Sequence, residues 1–307
     1  MNLRSHVKQA LGAVGYYRAR LSSQPYSGVA ALAYHGIRDD RLRQMHLGEL
    51  HVTAARLASH LEMLRGLDCT FIGWTEWCDI ASGVRPMPAR AVMVTFDDGY
   101  RSVLTQALPV LQQFDVPAVV FVCTTPVERQ VRFWFDALSE RGDDAVERAK
   151  EMCHAEWCEL IQSIEMPVRA DDPHAPMSID QVRELASHNG ITIGAHTMTH
   201  PILARADAAA QRAELRGCRA ALELWLNQPV TAFAYPNGRS AIDFTLDTER
   251  EVDAAGFTHA FSTDPGFADP CGPRFAHSRF LVLDTVDASE LAHRLAVAWP
   301  AAHAATN

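Results

Sequence analysis

The residues best able to do chemistry are two adjacent aspartates and two histidines that stand four residues apart. Asp97 and Asp98 follow an apolar run at 91–96, within the sequence Thr-Phe-Asp-Asp-Gly, and His196 and His200 bound the sequence His-Thr-Met-Thr-His. A mononuclear metal hydrolase needs an anionic ligand, imidazole ligands and a spare carboxylate that accepts a proton. These four side chains supply that set, so the sequence predicts one hydrolytic metal site.

Each half of this pattern is weak when taken alone. An Asp-Asp-Gly sequence is often a turn in which an acid caps a helix, and paired histidines are common on surfaces. Both groups, however, follow predicted strands, and catalytic loops converge at the C-terminal ends of parallel strands. Spacing of i, i+4 on a helical turn brings two imidazoles to one face. Gly99 permits an unusual backbone turn, by which both carboxylates could reach one cavity.

Two further candidates follow predicted strands. His35 comes after the apolar run at 29–34, and taken alone it is better interpreted as a core or loop histidine. Asn237 lies in the tight turn Tyr-Pro-Asn-Gly after another such run. A backbone N–H in that turn could point into the same mouth, where it would stabilise an oxyanion.

The elements that must position these residues alternate in type along the chain. Apolar and β-branched runs predict strands that are covered on both faces, as in a parallel sheet. The predicted strands are 29–34, 91–96, 117–123, 191–196, 230–235, 259–262 and 280–283. Helical periodicity predicts helices at 53–67, 102–114, 179–187, 207–226, 248–255 and 288–298. About seven parallel strands alternating with helices predict an α/β fold of the (β/α) barrel type, closed or nearly closed.

Three segments depart from this alternation. Residues 127–176 contain Phe133-Trp134-Phe135 and a charged helical stretch at 143–164, and they are interpreted as a helical insertion whose aromatic triplet is a packing anchor rather than a substrate platform. Residues 1–26 predict a basic amphipathic helix, since apolar residues recur at helical spacing. Docking onto the protein's own body is favoured for this helix over contact with a membrane surface. The barrel is expected to span residues 27–300, followed by a frayed tail at 301–307.

Composition narrows the class of protein. The chain has 307 residues, of which 48% are hydrophobic and 21% charged, as in soluble globular proteins. A formal charge of −9 without a Lys/Arg stripe argues against a nucleic-acid partner. Seven cysteines, an odd number with no CxxC pair, indicate reduced thiols. The reduced thiols and the absence of a recognisable signal peptide predict a cytoplasmic protein. Peripheral attachment at the inner membrane is the alternative. The sequence leaves the oligomeric state open.

These motifs resemble those of the polysaccharide deacetylases, the NodB-homology proteins of carbohydrate esterase family 4. Thr-Phe-Asp-Asp-Gly resembles the first family motif, His-Thr-Met-Thr-His the second, and Tyr-Pro-Asn-Gly a degenerate third. The resemblance implies a distorted, NodB-like (β/α) barrel with one divalent metal, preferably Zn²⁺, with Co²⁺ or Ni²⁺ as alternatives. The implied roles are Asp97 as general base, Asp98, His196 and His200 as metal ligands, and the Asn237 N–H as oxyanion donor.

The chain departs from the family pattern at two places. The third motif usually carries an arginine two residues before its proline, where this chain has Ala234, and Arg279 is the candidate replacement. The C-terminal Leu-x-His motif is also missing. In circularly permuted members that motif moves to the N-terminal strand, and resemblance to them implies that His35 is the general acid.

The resemblance predicts a metal-dependent hydrolase that removes the N-acetyl group of an amino sugar, in a polysaccharide or a lipid-linked saccharide, and releases acetate. Two alternatives stay open, because fold does not fix substrate. One is a related amidase or esterase acting on a non-carbohydrate substrate, and nothing in the sequence separates it from the first. The other is a catalytically silent sugar-binding barrel, which would need no spare carboxylate such as Asp97.

Overall fold

The computed structural model describes residues 16–17, 28–38, 48–164, 166–169, 172 and 174–304. The strands are β1 Ala30–Tyr34, β2 Ile37–Arg38, β3 Val52–Thr53, β4 Thr70–Phe71, β5 Ala91–Phe96, β6 Ala118–Val122, β7 Ile191–Ala195, β8 Ala232–Ala234, β9 His259–Phe261 and β10 Phe280–Leu281. The helices are α1 Ala54–Gly66, α2 Trp74–Ala81, α3 Leu108–Gln113, α4 Thr124–Arg129, α5 Trp134–Ser139, α6 Asp143–Glu151, α7 His154–Ser163, α8 Ile179–Ala186, α9 Ala208–Leu226, α10 Leu246–Ala254 and α11 Ala288–Ala304.

Eight strands form one parallel sheet that curls into a distorted (β/α) barrel, as predicted. Their spatial order is β10-β1-β5-β6-β7-β8-β9, with β4 beside the start of β5. The segment before β10 runs along β9: His277 N–H donates to Ala260 O, and Ser262 N–H donates to His277 O. Because the same segment continues into β10, which pairs with β1, it links the two ends of the sheet.

The alternation of side chains along β5 decides which groups enter the barrel. Val92, Val94 and Phe96 pack outward in the layer between sheet and helices, whereas Met93 packs inward with Trp77 of α2. Side chains on a strand alternate with a period of two. Asp97 therefore continues the inward row at the C-terminal end of the strand.

All seven predicted strands are present, with ends within two residues of the predicted ones. The short helix α2 and the short strands β2, β3 and β4 were not predicted. Trp74, Trp77 and Ile80 of α2 are buried, and this helix forms where those side chains fill the barrel interior, which is a tertiary effect.

The segment at 127–176 differs in detail from its prediction. The stretch predicted as one helix at 143–164 is two helices, α6 and α7, because Met152 and Cys153 between them adopt extended backbone conformations. The interpretation of Phe133, Trp134 and Phe135 as a packing anchor is confirmed, since all three are buried. All seven cysteines are free.

The chain termini are described only in part. Of the predicted helix at 1–26, residues 16–17 are described, and both are helical. The Tyr17 ring lies 6.0 Å from that of His293 on α11, between centroids. Helix α11 continues through the first four residues of the tail predicted at 301–307, as far as Ala304, and residues 305–307 lie outside the described residues. None of the helices described here is long and apolar enough to cross a membrane.

Candidate active site

Asp98, His196 and His200 meet at the C-terminal end of the barrel. Asp98 Oδ1 lies 3.5 Å from His196 Nε2 and 3.4 Å from His200 Nε2, and all three side chains are buried. These separations exceed ordinary hydrogen bonds but approach the ~3.3 Å expected between ligand atoms around tetrahedral zinc. Within the described part of the chain, Asp98 Oδ1 has no hydrogen-bond partner. The donor set therefore fits a divalent metal ion, which would satisfy this carboxylate oxygen.

The two imidazoles are oriented by contacts with neighbouring elements. His196 Nδ1 lies 2.7 Å from Ala234 O of β8, and because a carbonyl only accepts, Nδ1 carries the proton. Its Nε2 lone pair then faces Asp98. The Trp134 indole N–H donates to His200 O at 3.0 Å, and the Phe135 ring lies 4.8 Å from the His200 ring. The aromatic anchor of the insertion thus holds one side of the site.

Left-handed backbone conformations turn these loops toward one another. Asp98, Thr197, His200 and Asn237 have φ values of 72°, 65°, 63° and 55°. Such conformations are costly for residues other than glycine, and they persist where the surroundings enforce them, often at functional sites. At Asp98 the turn explains how two adjacent carboxylates leave strand alternation, since Asp97 stays inward and Asp98 swings toward the histidines. The sequence predicts an unusual backbone turn at Gly99 alone, whereas Asp98 also has a positive φ.

Asp97 is held by the buried guanidinium of Arg279. Arg279 Nη1 donates to Asp97 Oδ1 at 2.7 Å, and Nη2 donates to Oδ2 at 2.8 Å. Arg279 also donates to Ser262 O and to Thr95 Oγ1, and these hydrogen bonds fix the orientation of its guanidinium. The expectation that Arg279 replaces the arginine missing at Ala234 is confirmed by this bidentate pair.

Neighbouring positive charges keep the carboxyl groups of Asp97 and Asp98 ionised. Burial alone would raise the pKa of Asp97, but the charge and hydrogen bonds of Arg279 outweigh it and lower that pKa. Burial likewise opposes ionisation of Asp98, yet His196, His35 and His200 hold its pKa below the ordinary value. Burial lowers the pKa of His200 to about 3. At neutral pH, His200 is therefore a neutral imidazole, the form that binds metal.

His35 lies at the rim of the same site. Asp97 N–H donates to Tyr34 O at 2.9 Å, which joins the end of β5 to the residue before His35. The charge of His35 lowers the pKa of both Asp97 and Asp98. His35 Nδ1 is buried and has no hydrogen-bond partner among the described residues. The structure thus brings His35 to the predicted place, and its role as general acid stays a prediction.

Asn237 lies in the turn after β8. This turn is tied to Thr263, whose hydroxyl donates to Asn237 O at 2.5 Å, and Gly238 N–H donates to Pro236 O. The carbonyl of Ala234, just before the turn, accepts the hydrogen bond of His196 Nδ1. The Asn237 turn is therefore next to the histidine cluster, and the use of its N–H as an oxyanion donor stays a prediction.

Glu214 of α9 was not predicted, yet it anchors the loop that carries both histidines. Its Oε2 accepts from Met198 N–H at 2.8 Å and Thr199 N–H at 3.0 Å, and its Oε1 accepts from the Thr199 hydroxyl at 2.6 Å. Nothing in the sequence distinguishes this glutamate from the other acids on the helix. Its three hydrogen bonds make it a residue that positions the loop.

We expect Glu214→Ala to weaken metal binding about 10–100-fold, the usual effect of losing a group that supports metal ligands. The free energy of unfolding should fall by about 1–3 kcal/mol, because buried donors lose their acceptor. Isothermal titration with zinc and chemical denaturation measure both. Glu223→Ala is the matched control, since Glu223 on the same helix accepts from Val230 N–H, away from the histidines. Equal metal affinity in the two variants would contradict the positioning role.

Comparison with known proteins finds one matching family model and several similar proteins. A family model described as Polysaccharide deacetylase matches residues 84–260. The poly-beta-1,6-N-acetyl-D-glucosamine N-deacetylase of Escherichia coli (strain K12) is 30% identical over 128 residues, which are 40% of this chain but 17% of that protein. The chain therefore matches a small part of this relative's length.

Two solved structures share the fold. The Streptococcus pyogenes deacetylase PplD, in complex with acetate, superposes with a TM-score of 0.65 at 20% identity, over 88% of this chain and 99% of that one. IcaB from Ammonifex degensii superposes with a TM-score of 0.63 at 22% identity, over 87% of this chain and 97% of that one. Similarity at this level of identity shows the fold alone.

Proposed function

Because this chain belongs to the polysaccharide deacetylase family, we propose that it is a metal-dependent deacetylase that hydrolyses the N-acetyl group of an amino sugar, in a polysaccharide or a lipid-linked saccharide. One observation carries the proposal: a group of potential metal ligands, Asp98, His196 and His200, stands next to an ionised carboxylate. That carboxylate is Asp97, which is paired with Arg279. The name of the E. coli relative describes a polymer of N-acetylglucosamine as its substrate. This supports an N-acetylated saccharide as the substrate class here.

Asp98, His196 and His200 would hold one divalent metal ion, for which zinc is the first candidate and Co²⁺ and Ni²⁺ the alternatives. When bound, such an ion acts as a Lewis acid toward the amide carbonyl and makes water a better nucleophile at neutral pH. The neutral state of His200 and the ionised state of Asp98 suit this ligand set. Fixing the His196 tautomer through Ala234 removes a rearrangement that metal binding would otherwise need.

The other residues of the site move protons and stabilise charge. Asp97 accepts the proton of the attacking water, and Arg279 keeps its carboxylate ionised and aimed. Each Asp97 oxygen has further lone-pair capacity beyond its bond to Arg279. The Asn237 N–H donates to the carbonyl oxygen as negative charge develops there. His35 gives a proton to the amide nitrogen as the C–N bond breaks, so that acetate and a free amine leave.

The two alternatives, an amidase or esterase on a non-carbohydrate substrate and a silent sugar-binding barrel, gain no support from the comparisons. The experiment that separates all three is mass spectrometry of products from a panel of N-acetylated sugars and non-carbohydrate acetamides. Acetate release with loss of the acetyl group from the sugars supports the proposal. Turnover of the acetamides alone would favour the amidase, and binding of sugar without turnover would favour the silent barrel.

We expect Asp98→Ala and His196→Ala each to bind one equivalent of metal less than the unchanged protein. Both variants should also lose deacetylase activity. Each variant removes a donor, and two remaining ligands do not hold a catalytic ion. Elemental analysis by mass spectrometry gives the metal content, and circular dichroism checks the fold. His293→Ala is the control, because His293 is exposed on α11. Undiminished metal in both folded variants would remove these residues from the ligand set.

A further inference from the structure

A second group of potential ligands lies outside the site described above. It consists of His51 just before β3, Asp136 in α5 and His174 in the segment that returns to α8, and each of these residues is 2% exposed. One ligand atom from each lies within 4.8 Å of the other two. We propose that this group, called here the His51 cluster, is a second divalent metal site that shares no residue with the first.

Unpaired nitrogens in the His51 cluster point to a ligand. His51 Nε2 and both ring nitrogens of His174 are buried without a hydrogen-bond partner in the described part of the chain. A buried polar atom left without a partner costs about 1–3 kcal/mol, so several in one place require an explanation. An ion would use the imidazole lone pairs.

The distances within the cluster are those of ligands rather than of a hydrogen-bonded pair. His174 Nδ1 lies 3.6 Å from Asp136 Oδ1. A protonated histidine paired with a carboxylate would be expected to approach to about 2.7–2.9 Å. The separation instead resembles the 3.4 and 3.5 Å between Asp98 and the histidines of the first site. The two clusters also have the same donor set of one carboxylate and two imidazoles.

Asp136 presents one carboxylate oxygen to His174. Tyr100 donates its hydroxyl proton to Asp136 Oδ2 at 2.8 Å, so Oδ2 is occupied while Oδ1 faces His174. The His51 ring contacts those of His174 and Tyr100, at centroid distances of 4.6 and 4.7 Å. A Cβ on residue 36 would lie 2.2 Å from His51 Nδ1, so Gly36 is what leaves room for this ring.

The donor types favour zinc or a similar transition metal, since imidazole and carboxylate are its usual ligands in proteins. The placement indicates a structural role. Asp136 and His174 belong to the segment inserted between β6 and β7, whereas His51 belongs to the connection from β2 to β3. An ion shared among them fastens the insertion, whose Trp134 and Phe135 contact His200, to the barrel.

The test uses the Asp98→Ala protein, in which the first site is disabled. After loading with Zn²⁺ and dialysis, we expect two equivalents of zinc in the unchanged protein, one in Asp98→Ala and none in Asp98→Ala/His174→Ala. Asp98→Ala/His188→Ala is the matched control and should keep one equivalent, because His188 lies outside both clusters. Zinc should also raise the melting temperature of Asp98→Ala but not that of Asp98→Ala/His174→Ala.

Zinc-edge X-ray absorption of the loaded Asp98→Ala protein tests the same site without altering it. We expect nitrogen and oxygen donors at about 2.0–2.2 Å, with imidazole scattering. A folded Asp98→Ala protein that retains no zinc would overturn the proposal and leave ordered water as the partner of the three side chains. These readouts are metal content and spectroscopy, so they do not depend on whether the protein deacetylates any sugar.

Discussion

Asp97→Asn is expected to keep the metal of the first site and to lose deacetylation by about 10²–10⁴-fold, the usual contribution of a general base. The amide has nearly the shape of the carboxylate but cannot accept the proton of the attacking water. Since Asp97 is not in the proposed ligand set, metal content should not change. Steady-state kinetics with an N-acetylated sugar, together with elemental analysis, measures the two effects separately.

The Asp97→Asn change also disturbs the pair with Arg279. An asparagine keeps one oxygen for one guanidinium nitrogen, but its NH₂ faces the other, so a buried donor loses its acceptor. We expect a stability loss of about 1–3 kcal/mol. Asp243→Asn is a matched control, because Asp243 is also buried and accepts hydrogen bonds from an arginine side chain, that of Arg239, through both oxygens.

Similar losses of stability in the two variants, with a large loss of turnover in Asp97→Asn only, would assign the kinetic effect to the proton acceptor. Near wild-type turnover of a folded, metal-loaded Asp97→Asn protein would make Asp97 a structural acid. The base would then have to be another group.

The chain reveals the first site because its ligands follow strands that are visible as apolar runs. In a parallel barrel the ends of those strands meet at one rim, so placing Asp98 and His196 after β5 and β7 already implies that they are neighbours. Arg279 could be anticipated because Ala234 leaves a carboxylate without its usual partner. A buried charge needs compensation, and the structure places Arg279 there.

The parts that could not be predicted depend on contacts between distant segments. Glu214 lies on a long helix whose sequence pattern gives no sign that one acid accepts three hydrogen bonds from a loop. The His51 cluster joins three segments, two of them in or beside an irregular insertion, and none of its residues follows a strand of the main sheet. Apolar periodicity shows which face of an element is buried against the sheet, but it does not show which distant segments contact one another.

His35→Ala is expected to reduce amide hydrolysis by about 10²–10⁴-fold while largely sparing an activated aryl acetate. An amine leaves only when it is protonated, whereas a phenolate leaves without a proton, so loss of a general acid separates the two substrates. The placement supports this role: β1 pairs with β5 through Tyr34 and Phe96, which sets His35 beside Asp97. The ratio of kcat/KM for the two substrates is the measurement.

His60→Ala is the control for nonspecific damage, since His60 is a buried histidine that contacts Tyr34 and Val286 rather than the site. Its effect, through stability, should be the same on both substrates. His35→Gln keeps much of the side-chain volume without an acidic imidazolium, and it should behave as His35→Ala does. If both His35 variants lost amide and ester hydrolysis equally, as His60→Ala should, then His35 would be structural. The proposed resemblance to permuted family members would then lose its support, because it depends on a proton donor that follows the N-terminal strand and lies beside the base.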